Sequence, residues 1–462
     1  MTLLLFEDHY WRNFAPIVQT RPLYELRCGG FTLRERLTQV AALHGESIIA
    51  GLCRPHLMGA YGPRGGMAPL LGRGGPLVLV NARALHLDWL PKLLGEPVGT
   101  TYVADGFLLG ARISPSLASA IIYYLSQQQA SDALEELLRF SRYVEIKTTL
   151  LAFPWDLIAT TGEQLVLDMP LLAQRIPRYP RHDPHIVVHN PEHIFVAPTA
   201  RLDGPIVLDA RNGPIVIDEA AQIEPFSFIQ GPTFIGPGSL IASARIRGET
   251  SIGPICRVGG EVEASIIQGF SNKHHDGFLG HSWLGEWVNV GAMTTNSDLK
   301  NNYGSVRLVL EGIGQIDSGM MKIGCFLADH VKLGIGLHLN GGTIIATASN
   351  IFGTHTSPKT VPAFVWGSDV FREYRVESMI DVAKTVMRRR KRDMTSEYET
   401  MLRAVFLMTR PSRGQLAELA FPARALSTSS EAALANAEAE AVRAFEDIKT
   451  LANDTPALPP KR

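Results

Sequence analysis

The sequence predicts three successive units: an α/β layered domain over residues 1–180, a parallel β-helix over residues 181–367 and a helical tail over residues 368–462. Three observations carry this division. Up to about residue 180, short apolar runs alternate with helical spacing; from Val196 aliphatic residues return every six positions; after Trp366 the helical period comes back. A chain of 462 residues, 45% of them apolar, is long enough to bury more than one core.

In the first unit, LLLF at 3–6, SIIAGL at 47–52 and PLVLV at 76–80 read as buried strands, with TLRERLTQVAAL from Thr32 as a helix between the first two. Thr32 is the expected N-cap and Glu35, three residues on, its capping-box partner. Strands alternating with helices argue for a largely parallel sheet, whose ligands sit beyond the strand C-termini. The Gly-rich stretch YGPRGGMAPLLGRGG, 61–75, reads either as a phosphate cradle or as a plain loop.

In the second unit the aliphatic positions are Val196, Leu202 and Leu208, then Ile217, Ile223, Ile229, Ile235 and Ile241, then Ile252 and Val258, with Leu284 and Val290 later. Six matches neither the helical nor the strand period. A repeat this short cannot bury its apolar side chain alone, so neighbouring rungs must stack those residues into continuous columns. Glycine often follows, as in Ile235-Gly236, Ile252-Gly253 and Val258-Gly259, where a tight corner suits it. The alternative, an antiparallel sandwich with accidental spacing, does not account for the unbroken phase from Ile217 to Ile241. The phase breaks between Val258 and Leu284, which predicts that SNKHHDGFLGHS, with His274 and His275, leaves the scaffold on an excursion, a common setting for functional groups.

In the third unit DVFREYRVESMIDVAKTVMRRRKRD and SEYETMLRAVFLM read as helices, followed by an Ala/Glu-rich stretch at 430–446 and an ending, NDTPALPPKR, with the composition of disorder. The basic run Arg388–Arg392 reads as a solvated helix end that complements the dipole, with a phosphate contact as the other reading.

A formal net charge of -1 leaves no overall field to attract nucleic acid or anionic lipid. The four cysteines, Cys28, Cys53, Cys256 and Cys325, match no zinc or redox spacing and favour a reducing compartment. The opening apolar run ends at once on Glu7 and Asp8, and no later run reaches the roughly 20 apolar residues a membrane span needs. The expectation is a cytoplasmic protein with neither nucleic-acid nor membrane partners.

The hexad region with HHDGFLGHSWLGEWVNVGAMTT resembles the left-handed β-helix of GlmU, the bifunctional N-acetylglucosamine-1-phosphate uridyltransferase and glucosamine-1-phosphate acetyltransferase. The chain to about residue 410 resembles the divergent GlmU-family sugar nucleotidyltransferases, with their HDGFLG-S-LGEW-N-GA block, LKNNYG, a TRP-EL segment and a VM-RR helix. The resemblance implies a Rossmann-like nucleotidyltransferase domain, then a left-handed β-helix acyltransferase domain. It also implies a homotrimer, acetyl-CoA as co-substrate, and a sugar phosphate or nucleotide sugar as ligand.

Moving an acetyl group from a thioester to an amine needs a free amine lone pair, and a neutral imidazole is suited to take the surplus proton. Against the family pattern, His275 falls on the catalytic base and Phe278 on a substrate-contacting tyrosine. Asn289, Gly291 and Ala292 fall on a cleft-lining segment, Arg247 on a sugar-phosphate anchor, and Asn302 and Tyr303 on a pair beside the acceptor amine. Lys273 and Asp276 are candidates to bind phosphate or orient the imidazole, while His274 and His281 read as ordinary loop residues. Residues 334–346, GIGLHLNGGTIIA, resemble an acetyl-CoA groove. There are departures. Ser265 stands where the family has a phosphate-binding lysine, which puts the acceptor in question. In the first unit the glycine loop is missing and Leu23 replaces a lysine, leaving Arg21 and Arg27 to grip phosphate. Arg83 replaces a magnesium-binding aspartate, and Asp156 matches the second acidic ligand; one carboxylate is a poor Mg2+ site for phosphoryl transfer. Two other readings stay open: a nucleotidyltransferase whose β-helix only assembles the oligomer, and a non-catalytic nucleotide-sugar-binding protein.

Overall fold

The computed structural model describes residues 2–45, 48–63, 66, 74–180, 183–353, 356–367 and 370–414. Most of the Gly-rich stretch 61–75, the Ala/Glu-rich stretch and the chain end lie outside these. The first unit is a six-stranded sheet of β1 (Thr2–Phe6), β2 (Ile48–Leu52), β3 (Leu77–Asn81), β4 (Thr100–Ala104), β5 (Phe107–Ile113) and β6 (Arg142–Glu145). Its order is β2-β1-β3-β5-β4-β6. β1 pairs parallel with both β2 and β3, and β4 with β6, whereas β5 runs antiparallel to β3 and β4. All of β1 is buried because both faces are covered. Leu3 and Leu5 pack with Leu33 and Leu37 of α1 (Leu33–Leu43). Leu4 and Phe6 pack with α2 (Pro115–Ser126) and α3 (Ala130–Phe140). The capping box forms: Thr32 Oγ1 accepts from the Glu35 amide at 3.1 Å and Glu35 Oε2 accepts from the Thr32 amide at 2.7 Å.

From Ile186 to Gly367 the chain winds as a parallel β-solenoid with three faces. The predicted hexad residues line its inside. Val196, Ile217, Ile235, Ile252, Ile267, Leu284, Leu327, Ile345 and Val361 form the inward column of the first face. Ile223, Ile241, Val258, Val290, Leu333 and Ile351 belong to the second, and Leu208, Ile229, Ile246, Val262 and Leu279 to the third. The predicted break in phase is not a break in the coil. Ile267, Lys273 and Leu279 keep the six-residue spacing, with Lys273 in register with Val258 at an inward position. A lysine in an aliphatic column, between shortened corners, hid the repeat. His275 therefore sits on a tight corner rather than an excursion. The true insertion comes later: Trp283 pairs with Phe326 on the next coil, 43 positions on, where Phe326 pairs with Ile344 only 18 further. The extra chain carries a hairpin, Arg307–Leu310 with Gly314–Asp317.

The outward side of the first face is covered. Ile266, Trp283, Phe326 and Ile344 share one core with the first unit, the hairpin's Leu308 and Leu310, and helices α5 (Val376–Arg388) and α6 (Ser396–Met408). Between α3 and the solenoid, α4 (Pro154–Leu167) packs Leu165 with Val216 and Phe234. The second face is partly covered by α5 and α6, since Tyr398 Oη meets His330 Nε2 at 3.0 Å. No helix among the described residues is long and apolar enough to cross a membrane, and all four cysteines are buried free thiols.

Candidate active site

The crevice beyond the C-termini of β1 and β3 is filled by internal ion pairs. Glu7 and Asp8 follow β1, and Arg83 follows β3. Arg83 Nε lies 2.8 Å from Asp8 Oδ2, both side chains are 2% exposed, and the guanidinium stacks 4.2 Å above the Tyr10 ring. Glu7 accepts from Arg54 Nε at 3.1 Å and from the Leu23 amide at 2.8 Å. A carboxylate and an arginine fixed on each other offer a cation neither a ligand nor a vacancy.

The proposed phosphate grips are also committed elsewhere. Arg21 Nη2 reaches across to the solenoid, 2.6 Å from Asp329 Oδ2 and 3.3 Å from Glu286. Arg27 donates Nη1 to Gly30 O at 2.8 Å, and its amide bonds Gln268 Oε1 of the solenoid at 2.9 Å. These two arginines join the units, which is why the phosphate role expected of them has no free donor fork here. Asp156 Oδ2 accepts from the amides of Ala152 and Phe153 at 2.7 and 2.9 Å, closing the start of α4. Burial raises its pKa, against those two bonds. Among the described residues no three His, Cys, Asp or Glu side chains converge as metal ligands, so the donor set does not fit Mg2+.

The solenoid leaves open its third face and the corner between the second and third faces. His275 and Asp276 are exposed at that corner. The corner is pinned from inside: Lys273, 2% exposed, donates Nζ to Gly259 O at 2.8 Å and to His275 O at 2.6 Å. Burial pulls the Lys273 ammonium down to about 8, with Asp276 opposing. An inward lysine cannot grip a ligand phosphate; it holds the backbone that carries His275. Gly260, at φ +70°, is required beside it, because a Cβ there would stand 2.7 Å from Lys273 Nζ. The His274 and His275 rings meet edge to face at 5.0 Å. At the same corner of the next two coils Met293 and Ile335 are 63% and 71% exposed. Their backbones are tied to it by Met293 N to Asp276 O at 2.9 Å and Gly336 N to Ala292 O at 2.9 Å.

The other expected residues are dispersed. Asn289 stands on the second face beside Asn272, with Oδ1 3.3 Å from Asn272 Nδ2. Arg247 is on the third face, its Nε 2.7 Å from Glu261. Asn302 and Tyr303 are exposed on the insertion, where Asn302 Oδ1 accepts from the Gly304 amide at 3.1 Å.

Sequence reasoning missed one pair on the third-face side. His281 Nδ1 and Asp298 Oδ2 are 2.7 Å apart, with both side chains largely shielded. Burial pulls the Asp298 carboxyl up, but the His281 hydrogen bond and the charges of His281 and Lys322 hold it below its ordinary value. Lys322 also approaches Glu263, which lies 3.8 Å from Arg247. Asp298 is 17 positions from His281, about one coil, and that spacing was the available signal.

Residues 3–176 match the family model described as sugar nucleotidyl transferase. The chain is 32% identical over 149 residues to a bifunctional sugar-1-phosphate nucleotidylyltransferase/acetyltransferase of Sulfurisphaera tokodaii, covering 30% of this chain and 36% of that one. It is 38% identical over 108 residues to the bifunctional protein GlmU of Acidithiobacillus ferrooxidans, covering 22% of each. Over these segments the chain is similar to bifunctional sugar-1-phosphate nucleotidylyltransferase/acetyltransferases. The chain spans about a third or less of the length of these relatives in each match. Among solved structures, a UDP-N-acetylglucosamine acyltransferase of Francisella novicida is 12% identical, over 57% of this chain and 89% of that one, with a TM-score of 0.23.

Proposed function

We propose that the chain is a sugar-phosphate-modifying transferase whose solenoid moves an acetyl group from acetyl-CoA to the amine of an amino-sugar phosphate, with His275 as general base. The amine nitrogen attacks the thioester carbonyl, the C–N bond forms and the C–S bond breaks. The coenzyme leaves as its thiolate and the surplus amine proton passes to the imidazole. The observation that carries this reading is the His275 corner: an exposed imidazole whose own carbonyl is fixed from inside a rigid scaffold by Lys273. The match of residues 3–176 to sugar nucleotidyl transferases supports a sugar phosphate or nucleotide sugar as the ligand class. Nucleotidyl transfer in the first unit has that match in its favour and the Asp8–Arg83 pair against it. The exposed Met293 and Ile335 beside the corner suit a second copy packing alongside, as in a homotrimer, and a cytoplasmic setting fits the free thiols.

A second reading of the base is favoured by the His281–Asp298 pair, since a carboxylate on Nδ1 orients an imidazole and leaves Nε2 to take a proton. The test is acetyl-CoA turnover with amino-sugar 1-phosphates, followed by release of free thiol. His275→Ala slows transfer roughly 10²–10⁴-fold with its melting temperature kept. An unchanged rate, with His281→Ala inactive, moves the base to His281; no thiol release from the wild-type protein with any amino sugar rejects acetyl transfer altogether.

A further inference from the structure

The basic run that ends α5 is exposed at Arg388, Arg389, Lys391 and Arg392, but Arg390 is half-buried against the solenoid. Arg390 Nη2 donates to Asn272 Oδ1 at 2.7 Å, joining the third unit to the second face of the solenoid 118 positions away. Arg392 lies 5.8 Å over the Phe270 ring, so the docking has two points. Asn272 is in register with Arg257 on one neighbouring coil and with Asn289 on the other. Arg257 and Arg390 therefore flank the same asparagine from two separate elements.

Neither arginine has an ion-pair partner among the described residues, nor does Arg389 beside them. Arg388 has only Asp393, at 3.9 Å. This is unusual in a chain whose other solenoid arginines pair: Arg211 with Asp209, Arg245 and Arg247 with Glu261, Arg201 with Asp203. The cations are close enough to feel one another. Burial, Arg257 and Arg389 together lower Arg390 below the ordinary arginine value. Two positions past Asn272, His274 is lowered by burial first, then by His275 and Arg257, with Glu224 opposing and Arg390 adding. Its Nδ1 is buried without a hydrogen-bond partner. Bringing unpaired guanidinium groups together costs free energy unless an anion binds between them.

We propose that Arg257, Arg390 and the paired amides of Asn272 and Asn289 form a phosphate-binding site on the second face, next to the His274–His275 corner. With Asn272 donating to Asn289 Oδ1 and accepting from Arg390, the two planar forks and the Asn289 Nδ2 suit the oxygens of a phosphate or diphosphate group. This deepens the proposed transferase reading and rests on it for the ligand's source, which is either the nucleotide end of coenzyme A or the phosphate of the sugar.

The experiment measures binding to the full chain by titration calorimetry, with inorganic pyrophosphate, coenzyme A, 3′-dephospho-coenzyme A and glucosamine 1-phosphate as probes. Wild-type protein binds pyrophosphate, with an affinity that falls as salt rises. Arg257→Gln and Arg390→Gln each weaken it about 10- to 100-fold, the worth of one charge-assisted hydrogen bond. Arg390→Lys, which keeps charge but not the fork, recovers part of the loss. If the coenzyme loses affinity in both variants and its dephospho form does not, the site takes the coenzyme; if only glucosamine 1-phosphate does, it takes the sugar. Equal affinity of both folded variants and wild type for every probe overturns the site. The transferase reading fails separately, by absence of thiol release in a protein that still binds pyrophosphate.

Discussion

Removing the Asp329 carboxylate tests how the units are held together. Arg21 and Asp329 are essentially inaccessible, at 2% and 0% side-chain exposure. Asp329 Oδ2 also accepts from Thr20 Oγ1 at 2.5 Å, and Oδ1 from the Glu286 amide at 2.7 Å. Breaking a buried pair by deleting one partner costs about 3–5 kcal/mol, because the survivor is left desolvated. Glu286, 3.3 Å from Arg21 and 22% exposed, retains part of the attraction. Asp329→Ala should therefore lose about 3 kcal/mol, toward the lower end of that range. Arg21→Met/Asp329→Leu removes both inaccessible charges and leaves only the partly exposed Glu286 without its arginine, so it should be more stable than the sum of its single variants by about 2 kcal/mol. Urea unfolding followed by tryptophan fluorescence reads both quantities, since Trp283 and Trp287 lie in the coil that also holds Glu286. An Asp329→Ala loss below about 1 kcal/mol, or strict additivity in the double variant, refutes the claim that this pair fastens the solenoid to the first unit.

Three other outcomes follow from the packing. Ile229→Ala, at a fully buried position of the third-face column, should cost about 2–5 kcal/mol in the same denaturation experiment. Lys273 has its folded pKa depressed to about 8, so the penalty is fully present below pH 8. It is relieved as pH rises toward the unfolded value of about 10.4. The stability of wild type relative to Lys273→Met should thus climb by up to about 3 kcal/mol across that window, and a flat difference contradicts a buried ammonium. Asp298→Asn should alter the pH profile of acetyl transfer if His281 is the base and leave it unchanged if His275 is.

The scaffold was legible because burial fixes it. Ile217 through Ile241 must face inward, and no solvent-exposed role competes for those positions. LLLF, SIIAGL and PLVLV were legible for the same reason, being strands covered on both faces. β5 was not anticipated as antiparallel because its direction depends on the turn at Asp105–Gly106, not on apolar content. Around His275 the pattern failed for a definite cause: Lys273 occupies an aliphatic slot, and polar residues inside are invisible to a rule that counts apolar ones. The arginines failed similarly. Arg21 carries the charge expected of a phosphate site and Arg83 stands in place of a metal-binding aspartate, but the acids that neutralise them are far along the chain, Asp329 lying 308 positions from Arg21 and Asp8 75 from Arg83. Pairing across such separations leaves no local trace.

The shared interior has a practical corollary. Gln268 is bonded in both directions, accepting from Arg27 N and donating to Glu25 O at 2.7 Å, and Ser251 donates to Gly29 O at 2.6 Å. Cutting the gene near residue 180 would strip an aromatic and aliphatic stripe bare on one fragment and strand arginines on the other. Unlike a fusion whose halves can be expressed singly or exchanged, this polypeptide has to be handled, mutated and assayed as one indivisible piece.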